Sequence, residues 1–269
     1  MRPLLFRLVC FAGAAFLAGA CGPGEPKTDA ERLARGRATI ERMSAKLGSA
    51  EAFSMTTDES RDEVKASGEV QRVAVTRETV VRRKPDRFYS KTRGDMRREA
   101  WYDGVGITVV LHNDKVFGQA RMPETIDKTL DAMHERYGVA LPVADFIYTS
   151  PIKALLSATT TGGWTGRETV DGQPTDHLSF SDKGVKWDLW VSSEGDPLPR
   201  KLITEFTDDK RLGKAEVTFS DWNFAPPIAS DRFTPAVPED YEGIAIVQRA
   251  RVLRNMPMDD GANTGDVKK

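Results

Sequence analysis

Few residues of this sequence have a type and spacing that could carry out catalysis. The three histidines, His112, His134 and His177, are far apart in the chain, and the motifs of zinc proteases (H-E-x-x-H), thiol–disulfide enzymes (C-x-x-C) and serine hydrolases (G-x-S-x-G) are absent from it. Asp176 precedes His177, but a histidine beside an aspartate on a strand is usually structural. The sequence therefore predicts no enzyme, cofactor or metal site, and a hydrolase that uses His177 is the weaker alternative.

Cys21 stands at a position where lipid is attached in bacterial lipoproteins. Arginines precede an apolar stretch at 8–17, whose length of about ten residues is typical of a signal peptide and too short to span a membrane. The letters LAGAC at 17–21 resemble a lipobox, in which the cysteine after the cleavage site carries the diacylglycerol. Ala18-Gly19-Ala20 also fits ordinary signal-peptide cleavage. Lipidation of Cys21 is favoured because this cysteine would have no partner for an internal disulfide in the mature chain.

The rest of the chain predicts one domain with a short segment on either side. Residues 1–20 form the predicted signal peptide, and residues 21–27, rich in glycine and proline, form a tether to the lipid anchor. A domain at 28–255 is long enough to bury one large core. The polar residues 256–269 are predicted to be a disordered tail. With 39 basic and 40 acidic side chains, the net charge of -1 gives no reason to expect a nucleic-acid partner.

Apolar residues at helical spacing predict two helices. The first begins at Thr28 or Asp29, either of which can cap it, and ends at Gly48 in a left-handed turn. The second opens at 123–124 and ends at Gly138. Each helix has one apolar stripe that must be covered.

Two long segments alternate between apolar and polar residues, which predicts antiparallel strands. They extend over 52–122 and 161–222, and turn signals such as Asp103-Gly104 and Asp171-Gly172 separate their strands at hairpin spacing. Basic residues gather between Arg72 and Arg98. These residues are compatible with two arrangements. One is a rim that meets anionic lipid head groups or an acidic partner. The other, which is favoured, is a solvated strand face paired with acidic neighbours.

Several strands carry large apolar side chains on both faces. At 186–191, for example, Trp187 and Leu189 point to one face and Trp190 to the other. The sheet is therefore expected to be covered on its concave side by the two helices. Its apolar residues either line a cavity or fill a core, and a filled core is favoured on the pattern alone. The candidate ligand-binding residues are Trp101, Ile126, Leu130, Met133, Trp187, Leu189, Trp190, Phe206 and Phe219.

Four motifs in the second half of the chain carry a resemblance to a known family. They read DHLSF at 176–180, WDLWV at 187–191, GDPLPRKL at 195–202 and VTFSDWN at 217–223. Together they resemble the DUF2092 family of predicted periplasmic proteins, which is similar to the LolA and LolB type of lipoprotein carrier and receptor. The resemblance implies an α+β fold, mainly antiparallel: a curved, incomplete barrel, or LolA-like half-barrel, with helices over its open concave side. It also implies a hydrophobic pocket for acyl chains.

We therefore expect a cell-envelope lipoprotein without catalytic activity. Its pocket would bind or carry a lipid, a lipoprotein acyl chain or a similar apolar ligand, and the lipid on Cys21 would anchor it in the membrane. Gly22 replaces the aspartate that retains enteric lipoproteins in the inner membrane, so a periplasmic protein on the outer membrane is favoured. The alternative is a module that binds or senses another envelope protein and holds no ligand.

Overall fold

The chain folds into one curled sheet with helices packed on one of its faces. The computed structural model describes residues 24–64, 67–137, 143–157, 159–182, 184–207 and 213–246. The predicted signal peptide, Cys21, Gly138 and the predicted disordered tail lie outside these residues. Within the described part of the chain, no helix is both long enough and apolar enough to cross a membrane.

Twelve strands of the described chain form this sheet, in the order β12-β6-β5-β4-β3-β2-β1-β11-β10-β9-β8-β7. The strands are β1 (Ala52–Val64), β2 (Val70–Arg83), β3 (Asp86–Gly94), β4 (Arg98–Tyr102), β5 (Gly106–Leu111), β6 (Val116–Arg121), β7 (Thr161–Val170), β8 (Gln173–Asp182), β9 (Val185–Ser192), β10 (Pro199–Phe206), β11 (Lys214–Asn223) and β12 (Glu242–Ala245). All pairs are antiparallel except β12 with β6, which is parallel. Since β7 and β12 stand at the two ends of this order, the barrel is open.

Helical segments of different lengths form a layer on one face of the sheet, which we call the helix layer. They are α1 (Asp29–Ser49), α2 (Ile126–Tyr137), the 3₁₀ turn Ala144–Phe146 and α3 (Pro151–Leu155). The face of the sheet beneath them is the concave face. The predicted fold class is therefore confirmed, and β12 is a strand that the sequence pattern did not predict.

The first helix begins as predicted but ends differently. The Thr28 hydroxyl accepts a hydrogen bond from the Glu31 N–H, and the Glu31 carboxylate accepts one from the Thr28 N–H, which together form a capping box. The prediction that Gly48 ends the helix in a left-handed turn was wrong, because α1 continues to Ser49. A Cβ at Gly48 would lie 2.3 Å from the carbonyl oxygen of Thr149. The glycine thus permits close packing of α1 against the chain before α3.

The second helix begins later than predicted, at Ile126 rather than at 123–124. Its first free N–H groups find acceptors outside the helix: Ile126 N–H donates to Asp86 Oδ2 at 2.8 Å, and Lys128 N–H donates to Thr125 Oγ1 at 3.3 Å. Because Asp86 begins β3, this contact ties the start of α2 to the hairpin between β2 and β3.

Apolar side chains form one cluster on each face of the sheet. The concave core lies beneath the helix layer and includes Ile40, Met43, Leu47, Phe53, Met55, Val81, Tyr102, Phe146 and Val217. The convex cluster lies on the opposite face, where residues 228–241 cover the sheet; its buried members are Val80, Tyr89, Trp101, Val110 and Phe233. Val80 and Val81 illustrate the strand alternation that supplies both clusters.

Candidate functional site

The interface between the helix layer and the concave face is the candidate functional site. Six of the nine predicted ligand-binding residues meet there: Ile126, Leu130, Met133, Trp187, Leu189 and Phe219. None of these six side chains is more than 9% exposed. Their apolar groups pack against one another, and the described residues therefore form a filled core at this interface.

The other three predicted residues do not belong to this core. Trp101 lies in the convex cluster, with its ring centroid 5.6 Å from that of Tyr89. Trp190 is on the face of β9 opposite to Leu189, and Phe206 is partly buried at the end of β10, outside the core. Alternation explains the separation of Trp101 and Trp190, because neighbouring residues on a strand point to opposite faces. Phe206 shares the face of Leu202 but lies at the end of β10, beyond the core. Ligand binding by the nine residues stays a prediction.

Arg83 holds the helix layer at the end of β2. Its Nη2 donates to the carbonyl oxygens of Ile147 and Tyr148, at 3.0 Å each. The side chain is buried, and its Nε and Nη1 atoms have no hydrogen-bond partner among the described residues. Burial lowers the pKa of Arg83, while the Asp127 and Asp86 carboxylates oppose this shift. Arg83 is thus a buried cation that fastens the segment after the 3₁₀ turn to the sheet.

Polar contacts also join the parts of the helix layer to one another. The Thr149 N–H and hydroxyl both donate to the Asp127 carboxylate of α2, and Tyr148 Oη donates to Asp131 Oδ1 at 2.8 Å. Ile152 N–H donates to Ser44 Oγ of α1 at 3.2 Å. These contacts link α1 and α2 to α3 and the segment before it.

One carboxyl group within the layer is held in an unfavourable environment. Asp145 is in the 3₁₀ turn, and burial raises its pKa to about 6, with a small opposing effect of His134. Since burial disfavours the charged form, ionisation of Asp145 lowers the stability of the folded chain as the pH rises through this pKa.

His177 lies in a separate arrangement on the opposite face of the sheet. Its Nδ1 is 2.9 Å from Glu168 Oε1 and its Nε2 is 3.1 Å from Asp188 Oδ1, and its ring stacks on Trp190 with centroids 4.2 Å apart. Asp176 points away from His177 and accepts from Trp164 Nε1 at 2.7 Å. Both ring nitrogens of His177 therefore face carboxylates, and neither faces a hydroxyl that it would activate.

The basic residues between Arg72 and Arg98 do not form a single rim. Arg72 and Arg82 are exposed on the convex side, where Arg72 pairs with Asp62 at 2.9 Å. Arg77 and Arg83 alternate with them on β2 and are buried on the concave side. The sequence contained a signal for this division, because Arg77, Val81 and Arg83 share one strand face.

Comparison with known proteins assigns the chain to a family. A family model described as "Predicted periplasmic protein (DUF2092)" matches residues 36–247. The chain belongs to the DUF2092 family. The family resemblance carried by the four motifs is thereby confirmed, and the family is described as predicted periplasmic. A search of curated proteins found no significant match.

Solved structures with a similar arrangement were also found. An uncharacterised conserved protein from Thermus thermophilus is 8% identical, with 78% of this chain and 98% of that chain covered and a TM-score of 0.47. LprF from Mycobacterium bovis is 11% identical, with coverage of 78% and 99% and a TM-score of 0.43. A LolA superfamily protein from Nitrosomonas europaea is 11% identical, with coverage of 75% and 98% and a TM-score of 0.36. At these identities the likeness concerns the fold.

Proposed function

We propose that this protein is a non-enzymatic periplasmic module that binds the acyl chain of a lipid or lipoprotein between the helix layer and the concave face. The observation that carries the proposal is the pairing of an extensive apolar interface with a polar fastening by Arg83 at its edge. A core of a purely structural kind needs no buried arginine with unpaired N–H groups. The same arginine is suited to holding a layer that opens.

The energy of acyl burial is large enough to open such a layer. Each methylene removed from water contributes about 0.8 kcal/mol, so a chain of roughly twelve methylenes contributes about 10 kcal/mol. The two hydrogen bonds of Arg83 contribute about 1.5–3 kcal/mol each. In the open state, the methylenes of the acyl chain would contact the sheet where the side chains of Ile126, Leu130 and Met133 contact it in the closed state. The concave face would therefore stay covered when α2 moves.

The Arg83→Met variant is expected to bind the apolar fluorescent probe N-phenyl-1-naphthylamine at least about tenfold more tightly than the wild type. Methionine preserves the apolar stem but makes no bonds to the Ile147 and Tyr148 carbonyls. A loss of about 1.4 kcal/mol from the closed state, no more than one of these bonds contributes, already raises the open fraction tenfold. Fluorescence titration measures the affinity. Arg82→Met is the matched control, because Arg82 is exposed and its Nε donates only to the nearby Lys84 carbonyl.

Two results would contradict the proposal. If neither the wild type nor Arg83→Met binds the probe, the concave core does not admit apolar ligands. If Arg82→Met tightens binding as much as Arg83→Met does, the effect comes from lost surface charge and the helix layer has no part in it.

The proposal includes a lipid anchor at Cys21. The LAGAC sequence at 17–21 supports it, as does the description of the family as periplasmic. Cells that express the full chain are expected to incorporate an alkyne analogue of palmitate into the protein, and Cys21→Ser is expected to abolish the label. Label that persists in Cys21→Ser would exclude the anchor. Sucrose-gradient fractionation would then test the outer-membrane placement that Gly22 favours.

A further inference from the structure

A second group of arginines lies deeper on the concave face, away from Arg83. Arg77 forms a double contact with Glu59, from Nε to Oε1 at 2.5 Å and from Nη2 to Oε2 at 3.0 Å. Its Nη1 donates to Ser90 Oγ at 3.1 Å, and Thr57 Oγ1 donates to Glu59 Oε1 at 2.9 Å. Arg77 is only 2% exposed. A fully formed ion pair is therefore buried on the face that the helices cover.

Arg98 and Arg61 lie on the same face of the sheet as this ion pair. Arg98 is on β4 in register with Thr92 of β3, and Arg61 is on β1. The Arg98 guanidinium has no hydrogen-bond or ion-pair partner among the described residues. We call Arg61, Arg77 and Arg98 the arginine cluster. Among the described residues, Glu59 is the carboxylate that acts on Arg98, and Arg77 and Arg61 repel it.

Two further observations concern Arg98 and the neighbouring Thr79. Burial, together with the repulsion of Arg77 and Arg61, lowers the pKa of Arg98 to about 10. Beside the cluster, Thr79 Oγ1 is fully buried and has no hydrogen-bond partner in the described chain. Thr79 pairs with Ser90 across β2 and β3, which places its hydroxyl next to Arg77 on the same face.

We propose that Arg98, together with the Thr79 hydroxyl, binds the anionic head group, a carboxylate or phosphate, of the ligand whose acyl chain lies in the concave core. This inference rests on the proposed function. Arg77 and Val81 share the concave face of β2 four residues apart, which at about 3.3 Å per residue separates them by about 13 Å. A single amphipathic molecule spans that distance. Its head group would accept from Arg98 and from the Thr79 hydroxyl, and its chain would follow Val81 toward the helix layer.

The test compares two ligands that differ only in the head group. Dodecanoate and 1-dodecanol are each titrated against the mature full-length protein at pH 8, by displacement of N-phenyl-1-naphthylamine. Dodecanoate is expected to bind at least about tenfold more tightly, since a hydrogen-bonded charge is favoured over a neutral hydroxyl by that factor or more. Arg98→Gln is expected to abolish this preference, because dodecanoate loses the charged donor and 1-dodecanol loses at most one hydrogen bond to a neutral group. Arg98→Lys, which retains the charge, is expected to keep most of the preference for dodecanoate.

A matched control is Arg93→Gln, which removes an exposed arginine from the convex side of β3; the preference for dodecanoate should persist. Equal affinities of the wild type for dodecanoate and 1-dodecanol would overturn the head-group site and leave the proposed function intact. This comparison uses the wild-type protein alone, so it does not depend on the folding of a variant. Failure of both ligands to bind would overturn the proposed function as well. If sodium acetate displaces dodecanoate at similar concentrations, the cluster binds free anions and the head-group assignment is wrong.

Discussion

Replacing Glu59 by glutamine is expected to lower the free energy of unfolding by about 3–5 kcal/mol, the cost of removing one partner of a buried ion pair. Glutamine has nearly the same shape as glutamate, so little packing is lost. The guanidinium of Arg77, 2% exposed, would then remain buried without its carboxylate. Urea denaturation followed by circular dichroism measures the change.

The control for this prediction is Glu216→Gln on the neighbouring strand β11. Glu216 pairs with Lys201 at 2.6 Å, but both side chains are about 30% exposed, and exposed pairs of this kind contribute less than about 1 kcal/mol. A loss below about 1 kcal/mol in Glu59→Gln would mean that water or another anion compensates Arg77. In that case the arginine cluster is more accessible than its burial indicates.

The sequence predicted the architecture well because the strands are long and their turns are chemically distinct. Alternation over 52–122 and 161–222 gave the two runs of strands, and Asp171-Gly172 forms a turn with positive φ at both residues. The parallel strand β12 escaped prediction because its four residues are all exposed and so leave no alternating pattern. The end of the first helix was predicted wrongly at Gly48, because glycine is favoured both where a helix ends in a left-handed turn and where two segments pack closely.

The candidate site was harder to predict than the fold. By residue type, Trp101 and Trp190 were as good candidates for ligand binding as Leu189. Only strand alternation could assign the two tryptophans and Leu189 to different faces of the sheet. Even alternation did not reveal that residues 228–241 return to cover the convex face, where Trp101 is buried. Trp101 on the convex face is therefore covered by a segment that only the folded chain identifies.

The burial of Arg83 and of Arg77 in the arginine cluster was not predicted, for a different reason. Ten positions between Arg72 and Arg98 carry basic residues, and a basic run on strands usually reflects a solvated face. Alternation on β2 separates the buried arginines from the exposed ones, but it does not show which residues they meet. That depends on the register with β1 and β3: Arg77 lies opposite Thr57, and Arg83 opposite Asp86. That register is set by hairpin geometry over many residues, and it brings Glu59 within reach of Arg77 from eighteen positions away.

Phe146→Ala is the second substitution expected to have a large effect, with a loss of about 3–5 kcal/mol in the free energy of unfolding. Phe146 is fully buried in the 3₁₀ turn, and its ring meets Phe219 edge to face with centroids 4.8 Å apart. Truncation leaves a cavity at the centre of the proposed binding interface. Phe206→Ala is the control, because Phe206 is partly buried outside the concave core and should lose far less.

The same variant examines whether the helix layer is rigid or adaptable. A rigid layer would preserve the apolar cavity, and such cavities bind small apolar molecules. Benzene at saturation is then expected to raise the thermal unfolding midpoint of Phe146→Ala but not that of the wild type, since a ligand that binds only the folded state stabilises it. If benzene has no effect and the loss of stability is well below about 3 kcal/mol, the layer has closed over the gap. Such closure would show that the 3₁₀ turn can change its contacts with β11, and the proposed opening around an acyl chain requires the same adaptability.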